Sequence, residues 1–573
     1  MRCDRAQPGR GYDVEALLVS DQSRARSLID LPNQRPADLS QDVSPVLLER
    51  ERDLRGLISA QAQYQMELGL RRKNTDEVAE VSNEVAQLRA EYQEVEAQLW
   101  KQTPKLDSLR SFAPTTLKQV QDELRDPNTM LLEYALGDER SYLWAVTADS
   151  FKSYELPPRK TIEDAAGQYS SLLSARQAPV ETIKGDYAAF IQTAEDALPE
   201  KARDLSQMLL GPVAQQLGHR KLLVLTEGAL QAVPFDALPA PNAPAASPTN
   251  QDAFIDSLLI NTNEISFAPS ISTLRAIRSE KNNASSPYRT VAVIADPVFS
   301  ANDERVRPAP VAPVIADASS DQRLNDSAQR GLPGVLRGGT LSRLAYSATE
   351  ADAISAAAPY GTSMIVKGFA ANRETLMGSR LGEYQILHFA THAFLDSEHP
   401  ELSGIVLTMV DPKGVRQNGV MPLQDVYSLK LSSELTVLSA CQTALGKDIS
   451  GEGFMGLTHS FLSAGSKSVV ASLWKVDDRA TANLMSQLYA SLLQQGMSTG
   501  AALRAAKLKT MKEKQWRAPY FWAGFVLQGE STNHIMVEDN WGHHFSWVLF
   551  ALLVLASSLF VVFRRRKRQS ASA

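Results

Sequence analysis

The chain has 573 residues, about four times the length of a typical 150-residue domain, so we expect several structural modules. Hydrophobic residues make up 44% of it and charged residues 22%, which excludes a wholly disordered or fibrous protein, and its net charge of −6 offers no general attraction for nucleic acid. Its two cysteines, Cys3 and Cys441, are too few for a disulfide framework, so Cys441 is either a small buried residue or a functional thiol.

The N-terminal region has the periodicity of helices. Residues 14–31 resemble one helix of a helical-repeat array, and we predict that residues 1–43 are a helical segment left from such an array. Apolar residues from 78 to 99 recur at alternating spacings of three and four, which predicts a helical hairpin or coiled coil within 44–112. This apolar stripe packs either against a second chain or against the preceding helix. A regulatory protein partner would bind through these N-terminal helices.

From about residue 115 the sequence changes to short apolar runs typical of β-strands. Two runs, at 130–136 and 141–147, flank a GDER turn and predict a β-hairpin. Further strands are predicted within 221–238, 263–274, 290–299, 364–368, 384–392, 404–410, 435–441 and 468–474. After residue 343 these strands alternate with helical stretches, which predicts an α/β domain with a largely parallel sheet. In such sheets the catalytic and ligand-binding residues lie at the carboxyl ends of the strands.

Two of the predicted strands end on reactive side chains. QILHFATH ends at His392 and LTVLSAC ends at Cys441, 49 residues later. A thiolate is a strong nucleophile, and a nearby imidazole can deprotonate the thiol and later protonate the leaving amine. Backbone amides at the strand ends, those of Ala393 and Cys441, could hold the oxyanion. The alternative is that Cys441 is a packed core thiol and His392 a hydrogen-bonded loop residue.

The region from about 115 to 529 resembles a CHAT domain, a member of the caspase and separase group of cysteine peptidases. The strings that carry the resemblance are LLEYALGDERSYLWAVT, LTEGALQAVPFDAL, FAPSIS, LHFATHAFLDSEHPELSGIVL, LTVLSACQTALGKDISGEGFMGLTHSFLSAGSKSVVASLWKVDDRAT and PYFWAGFVLQG. The resemblance implies a caspase-like α/β fold with His392 and Cys441 as the catalytic dyad. It divides the domain into a pseudo-caspase-like half, 115–342, and a catalytic half, 343–529.

One residue departs from this family's pattern. The peptidases of the group usually have Gly after the histidine, whereas this chain has Ala393. A backbone angle that only glycine tolerates would then be lost, although the amide of Ala393 remains.

The resemblance also implies a specificity pocket that includes the segment after the next strand. In separase-like relatives an acidic residue there selects a basic P1 side chain, and Asp477 and Asp478 match that region. A carboxylate facing Arg or Lys gives a charge-assisted contact, and Asp478 is the favoured candidate. The alternative is that these two residues cap the helix beginning near Ala480.

No metal or organic cofactor is expected, because a thiol–imidazole mechanism requires none. His388, His392 and His399 imitate part of a zinc motif, but the position after His388 is Phe389 rather than the Glu that acts as general base. The segment also has a strand pattern, in which residues four apart do not converge on one metal.

The C-terminal residues 545–563 contain no charge and are followed by a basic tail, 564–573. A helix of 19 residues just spans a hydrocarbon core of ~30 Å, so we predict one transmembrane helix. The positive-inside tendency favours a cytoplasmic tail and a body on the other side, although the N-terminal residues include no apolar signal-peptide core. Either an export signal precedes the given start or the body is cytosolic.

The sequence thus predicts a membrane-anchored cysteine endopeptidase that cleaves protein or peptide substrates after a basic P1 residue. Its predicted fold class is α/β, with a caspase-like largely parallel sheet flanked by helices, a helical N-terminal region before it and a transmembrane helix after it. The competing interpretation is a catalytically silent interaction scaffold at the membrane. Retention of both His392 and Cys441 favours the enzyme, whereas Ala393 keeps the scaffold open as an alternative.

Overall fold

The computed structural model describes residues 11–29, 116–178, 185–244, 251–279, 287–307, 341–396, 403–439, 441–445 and 452–537, with isolated positions at 183 and between 46 and 98. Most of the predicted hairpin or coiled coil at 44–112 lies outside the described residues, as do the predicted transmembrane helix 545–563 and the basic tail 564–573. The hairpin or coiled coil at 44–112 therefore stays a prediction.

Helices and strands alternate along most of the described chain. The α-helices are α1 Tyr12–Ile29, α2 Leu117–Glu123, α3 Arg159–Leu173, α4 Tyr187–Leu210, α5 Ala214–Leu217, α6 Gln251–Asp256, α7 Ile271–Ser279, α8 Ala345–Ala357, α9 Arg373–Gly378, α10 Leu423–Tyr427, α11 Glu452–Ser463, α12 Asp478–Tyr489 and α13 Thr499–Lys512. The strands are β1 Thr129–Ala135, β2 Ser141–Val146, β3 Phe151–Leu156, β4 Lys221–Leu225, β5 Ile265–Phe267, β6 Arg289–Ala295, β7 Ser363–Lys367, β8 Tyr384–Ala390, β9 His392–Asp396, β10 Gly404–Val406, β11 Val420–Pro422, β12 Leu435–Leu438, β13 Cys441–Leu445, β14 Ser468–Ser472 and β15 Phe525–Gly529.

An eleven-stranded sheet forms the centre of the fold, in the order β3-β2-β1-β4-β5-β15-β14-β12-β8-β6-β7. Its pairs are parallel except for β1–β2, β2–β3 and β14–β15. The hairpin predicted from the GDER turn is confirmed as β1–β2. Every residue of β8 is buried. Because successive side chains point to opposite faces, this burial means that both faces of the sheet are covered at β8.

A separate four-stranded sheet, in the order β11-β10-β9-β13, lies beyond the carboxyl ends of β8 and β12. Strand β10 pairs antiparallel with both β9 and β11, whereas β13 pairs with β9 in parallel. Strand β9 begins two residues after the end of β8, and β13 begins three residues after the end of β12. The chain therefore steps from one sheet into the other at the two places where the sequence predicts reactive residues.

The N-terminal part of the large sheet, β1 to β5, joins the rest through the parallel pairing of β5 with β15. Buried charged groups reinforce the junction. Arg278 on α7 donates a hydrogen bond to Glu530, which directly follows β15, and Lys507 on α13 forms a buried ion pair with Asp236. These contacts connect residues more than 250 positions apart in the sequence.

Helix α1 packs against the N-terminal part of the sheet. Leu17 is fully buried in an apolar cluster with residues of β1, β2 and β4. Asp21 accepts hydrogen bonds from two amides at the start of α7, and Arg24 donates to the main-chain oxygen of Thr226 at 2.7 Å. Burial raises the pKa of Glu133 beneath this helix to about 7, although Arg24 opposes that rise. The origin of this helix in a repeat array stays a prediction.

The structure corrects the predicted fold class and localisation. Within the part of the chain that the structure describes, no helix combines the length and the apolarity needed to cross a membrane. The 24-residue α4 has the length, but it is amphipathic and carries six charged residues between Glu195 and Asp204. The predicted transmembrane component of the fold class and the predicted single-pass localisation are therefore wrong. The fold is mixed α/β, with a large, mostly parallel sheet flanked by helices.

Candidate active site

Two neighbouring strands of the large sheet lead into the predicted dyad. Strands β8 and β12 are parallel and aligned with Leu438 opposite Phe389. His392 follows β8 as the first residue of β9, and Cys441 follows β12 as the first residue of β13. Because parallel strands have their carboxyl ends at the same edge of a sheet, both residues lie at one edge.

The register of the small sheet brings the two residues closer. Cys441 lies opposite His392, and Gln442 opposite Ala393, in the parallel pair of β9 and β13. Neighbouring strands of a sheet lie ~4.7–4.9 Å apart. The fold therefore sets the backbones of Cys441 and His392 side by side, although 49 positions separate them in the sequence.

The imidazole of His392 is buried and held by a main-chain oxygen. Its Nε2 lies 2.8 Å from the carbonyl oxygen of Ser342, so the neutral ring donates its proton from Nε2. Its Nδ1 is buried and has no hydrogen-bond partner among the described residues. Burial lowers the pKa of His392; the Ser342 carbonyl opposes this shift, and Lys475 adds to it. The Phe299 ring packs against the imidazole with 5.0 Å between ring centroids.

An ion pair fixes the segment that supplies this carbonyl. Arg343, the residue after Ser342, donates from Nε and Nη2 to the two carboxylate oxygens of Asp296 at 2.9 and 2.8 Å. Asp296 directly follows β6 and has a φ of +47°. Arg305 forms a second ion pair with Asp296 at 2.9 Å. These ion pairs therefore anchor the segment that contains the Ser342 carbonyl to the end of β6 in the large sheet.

Ala393 occupies an extended position within the small sheet. It lies opposite Ile405 on β10 and Gln442 on β13, so strands flank it on both sides. Among the described non-glycine residues, a positive φ occurs at Arg125 and Asp296. Alanine therefore fits this backbone without the strain expected at a glycine-only angle. The oxyanion role of the Ala393 and Cys441 amides stays a prediction.

The two candidate specificity residues have different surroundings. The Asp477 side chain accepts a hydrogen bond from the Ala480 amide at 2.8 Å and is the N-cap of α12. Asp478 is half-buried, and its Oδ2 accepts a hydrogen bond from the Tyr346 amide at 3.1 Å. Burial raises the pKa of Asp478; the Tyr346 amide opposes this, and nearby acidic groups, Glu350 first among them, add to it. The capping alternative thus describes Asp477 and not Asp478.

The histidines that imitate a zinc motif have separate surroundings. His399 lies outside the described residues. The His388 ring nitrogens contact Tyr489 and Glu350, whereas His392 contacts the carbonyl of Ser342. In the described ranges, no group of three or more His, Cys, Asp or Glu side chains is arranged to hold a metal ion.

A comparison with protein families assigns the domain. The model of the CHAT domain matches residues 199–530, more than half of the chain. The chain belongs to the CHAT domain family.

The curated relatives of this CHAT domain protein are much longer than the segments that match. Tetratricopeptide repeat protein 28 of the mouse is 37% identical over 105 residues, and the human protein of the same name is 30% identical over 196 residues. The matches cover 18% and 28% of this chain. The chain spans less than a tenth of these relatives, since the matched shares of their lengths are 4% and 8%.

Solved structures show weaker similarity to this CHAT domain protein. The separase–securin complex of Saccharomyces cerevisiae, solved at 2.6 Å, matches with a TM-score of 0.41 and 9% identity, covering 90% of this chain and 40% of that chain. The Arg-specific cysteine proteinase gingipain R matches with a TM-score of 0.31 and 8% identity, covering 66% of this chain and 77% of that chain. The assignment of site residues therefore rests on the chain's own contacts.

Some groups of the candidate site in this CHAT domain give no usable signal in the sequence. Ser342 contributes a main-chain oxygen, and Tyr346 contributes a main-chain amide, which every residue other than proline possesses. Asp296 does have a sequence signal, because it directly follows a run of apolar strand residues. His392 has a similar signal, since it comes two residues after the end of β8. The pairing of Asp296 with Arg343, 47 positions later, leaves none.

Proposed function

We propose that this CHAT domain is a cysteine endopeptidase that hydrolyses peptide bonds in protein or peptide substrates through a Cys441–His392 dyad. The observation that carries the proposal is the register of β9 and β13, in which Cys441 is opposite His392. The environment of His392 adds support. Its Nε2 is committed to the Ser342 carbonyl, and its buried Nδ1 has no hydrogen-bond partner among the described residues.

In the proposed reaction, Nδ1 of His392 accepts the proton of the Cys441 thiol, and the thiolate attacks the carbonyl carbon of the scissile bond. The electron pair moves to the carbonyl oxygen, where the amides of Ala393 and Cys441 would stabilise the oxyanion. Collapse of the intermediate breaks the C–N bond, and His392 gives its proton to the leaving amine. Water then hydrolyses the thioester and restores the thiol.

The proposed substrate has arginine or lysine at P1, and Asp478 binds it. Asp477 is occupied as the N-cap of α12, and both oxygens of Asp296 face Arg343. Asp478 accepts one main-chain hydrogen bond and is half-buried, so its carboxylate can still receive a cation. Glu350 lies close enough to raise the pKa of Asp478, and its negative charge would favour a basic side chain there.

A catalytically silent interaction scaffold is the second candidate. Strands flank Ala393 on both sides, and an amide engaged between strands cannot stabilise an oxyanion until the sheet rearranges. The names of the matched relatives refer to tetratricopeptide repeats. Either function is compatible with a regulatory protein partner that binds the N-terminal helices.

The test of peptidase function is a mixed peptide library incubated with the full chain and read by mass spectrometry. We expect cuts after Arg and Lys that disappear in Cys441→Ala. Cys3, the other cysteine of the chain, provides an internal control. A peptidyl electrophile with P1 arginine should label Cys441 faster than Cys3. Absence of cleavage together with equal labelling of the two thiols would favour the scaffold.

Substitution at Asp478 should change P1 selectivity. Asp478→Asn retains an acceptor for the Tyr346 amide but removes the charge, and a hydrogen bond to a charged group contributes ~1.5–3 kcal/mol. We expect kcat/KM for Arg-P1 peptides to fall by about tenfold or more, with little change for neutral P1 peptides. Asp477→Asn is the matched control, because asparagine caps a helix as well as aspartate. Equal effects of the two substitutions would contradict the role of Asp478.

A further inference from the structure

The proposed site draws its groups from four elements of the fold. Strand β8 leads to His392 and β12 leads to Cys441. Helix α8 and the segment before it supply the Ser342 carbonyl and the Tyr346 amide. Helix α12 begins at Asp478. These elements come from distant parts of the sequence, so their relative positions depend on tertiary contacts.

One buried side chain on β8 contacts a residue in, or directly next to, each of the other three elements. His388 is completely buried. Its Nδ1 lies 3.0 Å from the Tyr489 hydroxyl on α12, and its Nε2 lies 2.8 Å from Oε1 of Glu350 on α8. Ser439, directly after β12, has its hydroxyl 3.3 Å from the same Nε2. Each of these three partners is itself at most 5% exposed.

The position of each partner relates it to a group of the site. Ser439 precedes Cys441 by two residues, and its amide donates a hydrogen bond to the Phe389 carbonyl of β8 at 3.1 Å. Glu350 lies one helical turn after Tyr346 on α8, and the Tyr346 amide donates a hydrogen bond to Asp478. The contact of Glu350 with His388 therefore fixes the end of α8 that binds Asp478. A displacement at His388 would therefore move several groups of the site together.

From these contacts we propose that His388 is a positioning residue, which joins β8, β12, α8 and α12 and so sets the geometry of the dyad and the P1 pocket. The inference rests on the proposed peptidase function. His388 does not act in the chemistry itself, because both its ring nitrogens face Tyr489, Glu350 and Ser439 in the core. Apolar packing alone would fill this space without fixing the direction of the ring, whereas polar partners on three elements specify one arrangement.

Kinetics of the full chain test the proposal. A shift of about 1 Å in a catalytic group can cost ~100-fold in rate, so His388→Leu should lower kcat by about tenfold or more, and displacement of Asp478 should also raise KM for Arg-P1 peptides. His388→Gln carries its amide near the position of Nε2 and should recover part of the loss. Tyr489→Phe, which removes one hydroxyl, should lower kcat by about threefold to tenfold.

A matched substitution separates positioning from general stability. Tyr169 is also completely buried, and its hydroxyl donates to the Ala237 carbonyl at 2.9 Å, remote in the sequence from the dyad. Tyr169→Phe should lower the melting temperature about as much as Tyr489→Phe while leaving kcat unchanged. Equal kcat losses in the two variants, or a His388→Leu chain that retains half of the wild-type kcat, would overturn the proposal.

A spectroscopic measurement distinguishes failure of this proposal from failure of the proposed function. In a chain labelled with 13C at histidine Cε1, the signal of His392 is assigned by its loss in His392→Gln. Because burial lowers the pKa of His392, looser packing in His388→Leu should move its titration midpoint upwards toward 6.5. If the wild-type chain is inactive but His388→Leu shows this shift, only the proposed peptidase function is refuted. An unchanged midpoint would overturn the positioning role.

Discussion

Replacing His392 by glutamine should lower kcat/KM for Arg-P1 peptides by about 10²–10⁴-fold, the contribution expected of a general acid–base group. Glutamine can still donate to the Ser342 carbonyl from a similar position, but it cannot accept a proton from Cys441. The loss should therefore appear in kcat. The measurement is steady-state cleavage of a fluorogenic Arg-P1 peptide by the full chain.

A control and a pH profile complete this test. His219 is exposed on the turn after α5, so His219→Gln should leave kcat/KM unchanged. Burial lowers the pKa of His392, which keeps the ring neutral, and able to accept a proton, below pH 6.5. Activity should be lost as the pH falls through the folded-state pKa, so the acid limb should have its midpoint below 6.5. A midpoint above 6.5, or equal losses in the two variants, would contradict the proposal.

The sequence predicts well the elements whose signal is local. Apolar runs of strand length correctly located the hairpin of β1 and β2 and the buried strands β4, β8, β12 and β14. Buried strands require consecutive apolar residues, and few other structures do. The approach of His392 and Cys441 could also be anticipated, because both follow such strands and parallel strands end at a common edge.

The groups that fix His392 could not be predicted, because they depend on contacts between distant residues. A main-chain carbonyl such as that of Ser342 has no sequence signal. The Arg343–Asp296 ion pair can be recognised only once β6 and the segment before α8 are known to be adjacent. The spacing of His388 and His392 imitates part of a zinc motif, whereas the neighbours of His388 are Glu350 and Tyr489. A pattern of residue types indicates which chemical groups are present, but it does not indicate which residues those groups contact in the fold.

The transmembrane prediction was wrong for a related reason. It rested on hydropathy over 545–563, which measures apolar content and carries no information about tertiary structure. Within the described residues, no helix has the length and apolarity to span a bilayer. Apolar runs in the described chain form buried strands instead, and helix α4, which is long enough, is amphipathic.

Replacing Arg278 by methionine should lower the free energy of unfolding by ~3–5 kcal/mol, because it leaves the buried Glu530 carboxylate without its cation. The Arg278 and Glu530 side chains are 9% and 7% exposed, and Arg278 also lies 3.2 Å from the Glu123 carboxylate. The pair joins α7 to the end of β15, so its loss weakens the junction between the two parts of the large sheet. Urea denaturation of the full chain at pH 7 measures the change.

Arg275→Met on the same helix is the matched control for Arg278→Met. Arg275 lies 3.6 Å from the Glu123 carboxylate, and its side chain is 30% exposed, so it should contribute less than ~1 kcal/mol. In the double variant Arg278→Met/Glu530→Gln, removal of the buried charge should recover part of the lost stability. Equal losses for the two arginine substitutions, or no recovery in the double variant, would contradict the assignment of this pair.

The same pair predicts how stability responds to acid. Burial alone would raise the pKa of Glu530, but the hydrogen bond and charge of Arg278, together with the hydrogen bonds from Thr532, lower the pKa from 4.5 to about 2. A carboxyl group whose folded-state pKa is depressed contributes its full stability above the unfolded value and loses it as the pH falls through the folded value. The wild-type chain should therefore lose this contribution between about pH 4.5 and 2. In Glu530→Gln that part of the acid dependence should be absent, and a curve parallel to wild type would contradict the assignment.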